Sequence, residues 1–117
     1  MSETRFLDVR ILALWRDDRT ECPLTLDLRI DAESRRVISH WETFGACDLN
    51  GDKCRPFVLR RDGALDFGAL AAEAWRTDLR NVAIKVGERF TVHWNERDVG
   101  VYEIVKVASL GAKNGIE

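Results

Sequence analysis

No stretch of this chain approaches the roughly 18 consecutive apolar residues that a membrane span needs. The segment Met1 to Trp15 also mixes charges into its apolar residues where a signal peptide would carry an uninterrupted apolar core. Both absences point to a small cytoplasmic domain with no membrane partner. Cysteine is scarce and odd in number, at Cys22, Cys47 and Cys54, which excludes the disulfide framework of a small secreted scaffold and makes reduced thiols the expectation. Proline is limited to Pro23 and Pro56, and there is no Pro/Gly/Ser-rich linker or internal repeat. The chain therefore reads as one domain over residues 1–110, followed by a small-residue tail, 111–117, expected to be flexible. A large charge of one sign is missing too. With a net charge of −2 and acids interleaved with bases, no field exists to draw in a polyanion from a distance, and nucleic acid is a disfavoured partner.

What the sequence does contain is enough apolar surface for one core. The hydrophobic fraction is 45% and the charged fraction 32%, which places the chain among globular proteins and away from disorder. A chain of this length buries roughly two-thirds of the surface its unfolded form exposes.

The periodicity is mostly that of strands. Arg5 to Trp15 carries apolar residues on both parities and reads as a strand covered on both faces. Leu24, Leu26, Leu28 and Ile30 alternate with Thr25, Asp27 and Arg29, the pattern of a half-buried strand. Val37 to Cys47 is rich in β-branched and aromatic residues and reads as a third strand, although Val37, Ile38, Trp41 and Phe44 also recur at helical spacing. Asn50-Gly51 signals a two-residue hairpin turn. That turn would oppose Cys47 to Cys54 and Phe44 to Phe57, making Arg55 to Arg60 a fourth strand with Pro56 at an edge or bulge. Residues 82–107 read as further strands, in which Phe90, Val92 and Trp94 alternate with Arg89, Thr91 and His93, with a turn near Asn95 to Asp98; Val101 to Val107 is apolar on both parities like the first strand, and the two are expected to lie centrally, side by side being one arrangement open to them. One helix is expected. Asp66 would cap it, and Phe67, Leu70, Ala71, Ala74, Trp75 and Leu79 would form its apolar stripe. The expected fold is thus α+β: a curved, mainly antiparallel sheet of about six strands, or a partial barrel, with that helix on one face.

Catalytic motifs are weak. Cys54 to Arg60 has the C-x5-R spacing of a phosphatase loop, but the bulky Arg55-Pro56-Phe57-Val58-Leu59 between them does not suit a loop wrapped around an anion. Asp48, Asn50 and Asp52 echo half of a calcium loop whose glycine and final glutamate positions are Lys53 and Leu59. Cys22, Cys47, Cys54, His40 and His93 lack the paired spacing of a zinc site. No cofactor and no metal are therefore assigned, and no catalytic residue is named. The more informative feature is a surplus: the hairpin from Trp41 to Arg60 is apolar on both faces, and one helix covers only one. Either the sheet curls to hide its second face, or a partner protein or second copy of the chain hides it. The reading that follows is a non-catalytic protein-interaction module, of immunity or antitoxin type, binding through Trp41, Phe57, Arg55, Arg60 and Arg61. The alternatives are a small enzyme or ligand binder with a pocket at the mouth of the curved sheet, and a weak nucleic-acid binder using the basic strip around Arg55, Arg60 and Arg61.

Overall fold

The computed structural model describes residues 5–38, 42–49, 53–68 and 75–110, with the side chains of 48, 49, 53 and 54 excepted. Its eight strands are β1 (Phe6–Trp15), β2 (Leu24–Asp31), β3 (Thr43–Leu49), β4 (Lys53–Leu59), β5 (Ala64–Asp66), β6 (Trp75–Thr77), β7 (Arg89–His93) and β8 (Val99–Ser109). Each pairs antiparallel with the next, and β8 returns to pair with β1, so the sheet closes into an up-and-down barrel. Closure removes both sheet edges at once.

Alternation dictates the inside. Val9, Ile11 and Ala13 of β1, Leu24, Leu26, Leu28 and Ile30 of β2, Phe57 and Leu59 of β4, Leu65 of β5, Phe90 and Val92 of β7, and Tyr102 and Ile104 of β8 are all buried. Their neighbours in sequence face outward, and on β1 and β2 those neighbours include the charged residues Asp8, Arg10, Asp27 and Arg29. Arg10 donates twice to the Asp27 carboxylate, at 2.7 and 3.0 Å, and Arg29 donates twice to Asp8, at 2.8 and 3.2 Å. Both pairs lie directly across the ladder, and a one-residue slip would break both while turning the leucines outward. Exposed pairs of this kind add little stability, so their main contribution is to register. Between β1 and β8 the pairing skips a residue after Leu12, a bulge at Val105 that increases the local twist. At one end of the barrel Leu79 and Ile84 act as a plug, both essentially inaccessible. Ile84 is held by a reciprocal bond: its N–H donates to the Arg35 carbonyl and its carbonyl accepts from Arg35 Nε, each at 2.8 Å.

The α+β expectation is corrected. Among the described residues there is no α-helix, only a 3-10 turn over Leu79–Asn81. Asp66 ends β5, and its Oδ1 accepts the N–H of Gly68 at 2.8 Å, a local turn in which Gly68 adopts φ +113°. A helix cannot run through that conformation in its first turn. Trp75, expected on the helix, lies on β6 opposite Leu65; residues 69–74 lie outside the described ones. The strand count rises from about six to eight because Ala64–Asp66 and Trp75–Thr77 are both strands. The third strand begins at Thr43, with Val37 making only an isolated bridge to Ile30.

The hairpin register is corrected by one residue. Leu49 pairs with Lys53, Asp48 with Cys54, Cys47 with Arg55, Gly45 with Phe57 and Phe44 with Val58. Three residues, 50–52, separate the paired ends where a two-residue turn would have left Asn50 and Gly51 alone. Cys47 and Cys54 are therefore not opposed, and the surplus of apolar side chains sorts cleanly, Phe57 inward and Phe44 outward at 68% exposure. The pairing of the two doubly apolar strands is as expected, since β1 and β8 are neighbours.

Several surface carboxylates titrate below the ordinary value of 3.8: Asp8 through hydrogen bonds from Arg29, Asp31 through the N–H groups of Ser34 and Glu33, and Asp66 through Gly68 N–H and then Arg60. A depressed folded pKa contributes stability above the unfolded value, lost as pH falls through the folded one. The urea midpoint should therefore hold steady down to about pH 5 and decline below about pH 4, with Asp31→Asn less acid-sensitive than the parent. A midpoint independent of pH from 6 to 2 would contradict these assignments.

Candidate functional site

In an antiparallel barrel the C-terminal ends of odd strands and the N-terminal ends of even strands meet at one end. Here that rule gathers Trp15 at the end of β1, Phe67 just after β5, Trp94 just after β7, Trp75 at the start of β6 and Arg55 near the start of β4. The rings form a continuous edge-to-face chain. Phe57 meets Phe67 at 5.5 Å between centroids, Phe67 meets Trp75 at 5.0 Å, Trp75 meets Trp94 at 6.3 Å, and Trp94 meets Trp15 at 5.0 Å. Trp94 also touches Tyr102, which stacks on Phe90 deeper inside. Three of the four tryptophans of the sequence are in this cluster.

Exposure separates this end from the rest of the interior. Leu24, Leu26, Ile30, Leu59, Val92 and Ile104 are 0–1% exposed, whereas Trp15, Phe67, Trp75, Trp94 and Arg55 are all only half-buried. Two backbone features make the opening. β5 and β6 are three residues each, and β4 joins β5 only through Val58 and Leu59, so Lys53–Phe57 lies beyond the described β4–β5 ladder. Gly100 lets Trp94 and Trp15 lean onto the backbone of β8; a Cβ there would collide with Trp94 Cη2 and approach Trp15 Nε1 to 2.9 Å. Arg55 has the inward parity of Phe57 and Leu59 and its guanidinium lies over the Phe67 ring, 5.2 Å from the centroid. Among inward-facing strand residues whose side chains are described, it is the one charged group. Phe57 and Arg55, expected on a binding surface, thus belong to the interior and its mouth, Phe57 at 2% exposure.

Arg60 and Arg61 lie beside the mouth, on an open groove of about 620 Å³ with Glu42, Asp62, Asp66 and Arg76, and Trp75 lines this groove as well as the mouth. Arg60 bridges Glu42 and Asp66, at 2.6 and 2.7 Å, and these contacts hold its pKa above the ordinary arginine value. Arg80 hydrogen-bonds the carbonyls of Arg60 and Leu59 from within, and its burial lowers its pKa. Trp41 and His40 lie outside the described residues.

The motif candidates are not brought together. Cys54 to Leu59 belongs to β4, paired with β3, rather than forming a loop around an anion. His93 is exposed on the outer face of β7, while Cys22 and Cys47 are buried. Among the described residues no group of three or more His, Cys, Asp or Glu is placed to hold a metal, and no helix is long and apolar enough to cross a membrane. No family model, curated protein or solved structure matches the chain.

Proposed function

We propose that the protein is a small-molecule-binding barrel whose site is the aromatic mouth between β4, β6 and β7. The observation that supports it is the contrast in exposure: four large aromatic side chains and an arginine converge on one end of a closed barrel and stay accessible to solvent, while the opposite end is plugged by Leu79 and Ile84. Eight strands enclose an interior wide enough for side chains or one small ligand, and barrel mouths are favoured ligand sites. The case for a partner protein rested on an apolar face with nothing to cover it. Closure of the barrel supplies that cover for Phe57 and Leu59.

The test is binding of a neutral aromatic probe, N-phenylnaphthylamine, followed through its own emission and through tryptophan fluorescence. Saturable one-to-one binding should appear in the wild type, and Trp75→Ala should weaken it about tenfold or more, the effect of losing about 1.5 kcal/mol of aromatic contact. A linear, unsaturated response would sink the ligand reading. The groove holding Arg60 and Arg61 supports a second reading, docking of a partner protein, because Arg61 is exposed and carries no side-chain hydrogen bond or ion pair among the described residues. A stoichiometric companion co-purified from native cells and lost in Arg61→Glu, without saturable probe binding, would put that reading first.

A further inference from the structure

The outer face of β1 and β2 carries a pattern of charge that the mouth does not use. Asp8 and Arg10 follow one another along that face of β1, Arg29 and Asp27 stand directly across from them on β2, and the four form a checkerboard of alternating sign. Each of these side chains is 39–56% exposed, so every pair keeps an outward side in contact with solvent. Arg10 uses Nε and Nη2 on Asp27, which leaves its Nη1 donors for a second acceptor. β3 and β8 flank the checkerboard. On the row of Arg10 and Asp27 they contribute Phe44 and Ala108, and on the next row, that of Leu12 and Thr25, they contribute Ala46 and Lys106. Phe44 is the most exposed large apolar side chain among the described residues. A hollow of about 210 Å³ lies beside it, lined by Arg10, Thr25, Asp27, Gly45 and Ala46. Closure of the barrel covers Phe57 and leaves Phe44 outside.

We propose that this face binds a second copy of the chain through a two-fold contact whose axis lies in the interface, parallel to β1 and β2. The inference is independent of the ligand reading. That rotation exchanges the two strands, so Asp8 meets Arg29 of the second copy, Arg10 meets Asp27 of the second copy, and both contacts are repeated in reverse. Every acid then faces a base across the interface as well as within its own sheet, with no like charges opposed. The same rotation exchanges β3 with β8, which lays Phe44 of each copy over Ala108 of the other and brings Lys106 over Ala46 and the hollow. An unrelated partner would have to carry the inverse checkerboard. This chain carries its own inverse, and that selects a second copy as the occupant. The contact is small, because two convex barrels touch over few strands and a protruding side chain such as Phe44 is needed to span the gap that curvature opens toward β3 and β8. Desolvation offsets most of the attraction between the charges, so they set orientation while burial of Phe44 supplies the net affinity. The resulting dimer belongs to the weak, reversible class.

The experiment is sedimentation equilibrium of the full chain from about 1 µM to about 1 mM, the range in which a small interface associates. The average mass of the wild type should rise from one copy toward two. Raising the salt from about 0.05 to about 0.5 M should weaken association about threefold or more, because screening acts on half-exposed charges. Phe44→Ser should weaken it about tenfold or more, and the neutral pair Arg10→Thr with Asp27→Thr about threefold or more. Both variants change surface side chains only, and near-ultraviolet dichroism checks that each keeps its tertiary packing. The exchanged pair, Arg10→Asp with Asp27→Arg, reads the direction of the axis. With the axis parallel to the strands the exchange keeps an acid opposite a base on every row, so the dimer should persist within about threefold. With the axis across the strands it would oppose like charges at residues 8 and 10 and abolish the dimer. A wild-type mass that stays at one copy up to about 1 mM overturns the proposal. A dimer that neither Phe44→Ser nor the neutral pair weakens also overturns it, because it forms through another face. Loss of the dimer in the folded exchanged pair overturns the strand-parallel arrangement.

Discussion

Tyr102→Ala should lower the unfolding free energy by about 3–5 kcal/mol, the cost of emptying a large, fully buried aromatic position, and Tyr102→Phe by about 1–2 kcal/mol. The two substitutions separate two contributions of one side chain. Its ring is inaccessible to solvent, stacks on Phe90 at 5.8 Å and receives the edge of Trp94 at 6.4 Å. Its hydroxyl donates to the carbonyl of Cys22 at 3.0 Å, tying β8 to the residue that leads into β2. Cys22 has φ +50°, a left-handed conformation that a non-glycine residue keeps only when its surroundings hold it there. Removing the hydroxyl therefore leaves a buried carbonyl without that donor and loosens the turn before Leu24. Urea denaturation of the three proteins checks both numbers; a loss below 1 kcal/mol for the alanine variant would contradict the burial of this ring.

The same residue gives an independent optical readout. Burial raises the Tyr102 phenol above its ordinary value of 10.0, with the neighbouring Cys22 and Cys47 adding to the effect once they ionise. A raised folded pKa means that the neutral form is favoured in the barrel, so this contribution is complete below the unfolded value and is lost as pH rises toward the folded one. The chain has one tyrosine, so the phenolate absorbance reports Tyr102 alone. It should stay low at pH 10.5 and rise only as tertiary structure is lost. Ordinary titration near pH 10 with the fold intact would show that the hydroxyl reaches water.

The residues show why some of this was legible in the sequence and some was not. β2 could be read directly because Leu24 to Ile30 keeps a strict two-residue period and its outer face is polar. β7 could be read for the same reason, from Phe90 and Val92 between Arg89 and His93. The β1–β8 seam was foreshadowed because both strands are apolar on both parities, and it is the seam that closes the barrel. β5 and β6 were not legible. At three residues each they are too short to display the alternation that marks a strand, and they fall in a stretch whose apolar residues also fit a helical stripe. The decisive signal against a helix was Gly68, two residues after Asp66, which the structure places at positive φ. For the site, the sequence places Arg55 and Phe57 with Trp41, Arg60 and Arg61 on one binding surface, whereas closure of the barrel turns Arg55 and Phe57 inward and leaves Arg60 exposed. Nothing in sequence spacing brings Trp15, Trp75 and Trp94 together, because they stand at three strand ends that are 19 or more residues apart. Only the antiparallel order of a closed barrel does that.

The β3–β4 register has a direct experimental consequence at Gly45. In the observed register Gly45 is opposite Phe57, and the ring lies across the glycine. A Cβ at Gly45 would fall 2.7 Å from Phe57 Cζ, 2.8 Å from Phe57 Cε1 and 2.7 Å from the backbone carbonyl oxygen of Thr25. The ring could move aside, but the carbonyl belongs to the β2–β3 ladder, where Thr25 pairs with Ala46, and cannot yield without disturbing that pairing. Gly45→Ala should therefore cost about 2–3 kcal/mol by overpacking, despite the lower strand propensity of glycine, which on its own would make the change favourable. Phe57→Leu in the same chain should recover part of this loss, since it removes the ring atoms and leaves the Thr25 contact in place. A double-mutant cycle over Gly45→Ala and Phe57→Leu measures that coupling in urea. In the two-residue-turn register Phe44 would stand opposite Phe57, and no coupling between residues 45 and 57 would be expected; a cycle energy near zero with a stable Gly45→Ala variant would favour that register. A coupled cycle with incomplete rescue fixes Phe57 against β3, and with it the ring contact from Phe57 to Phe67 from which the aromatic chain of the mouth begins.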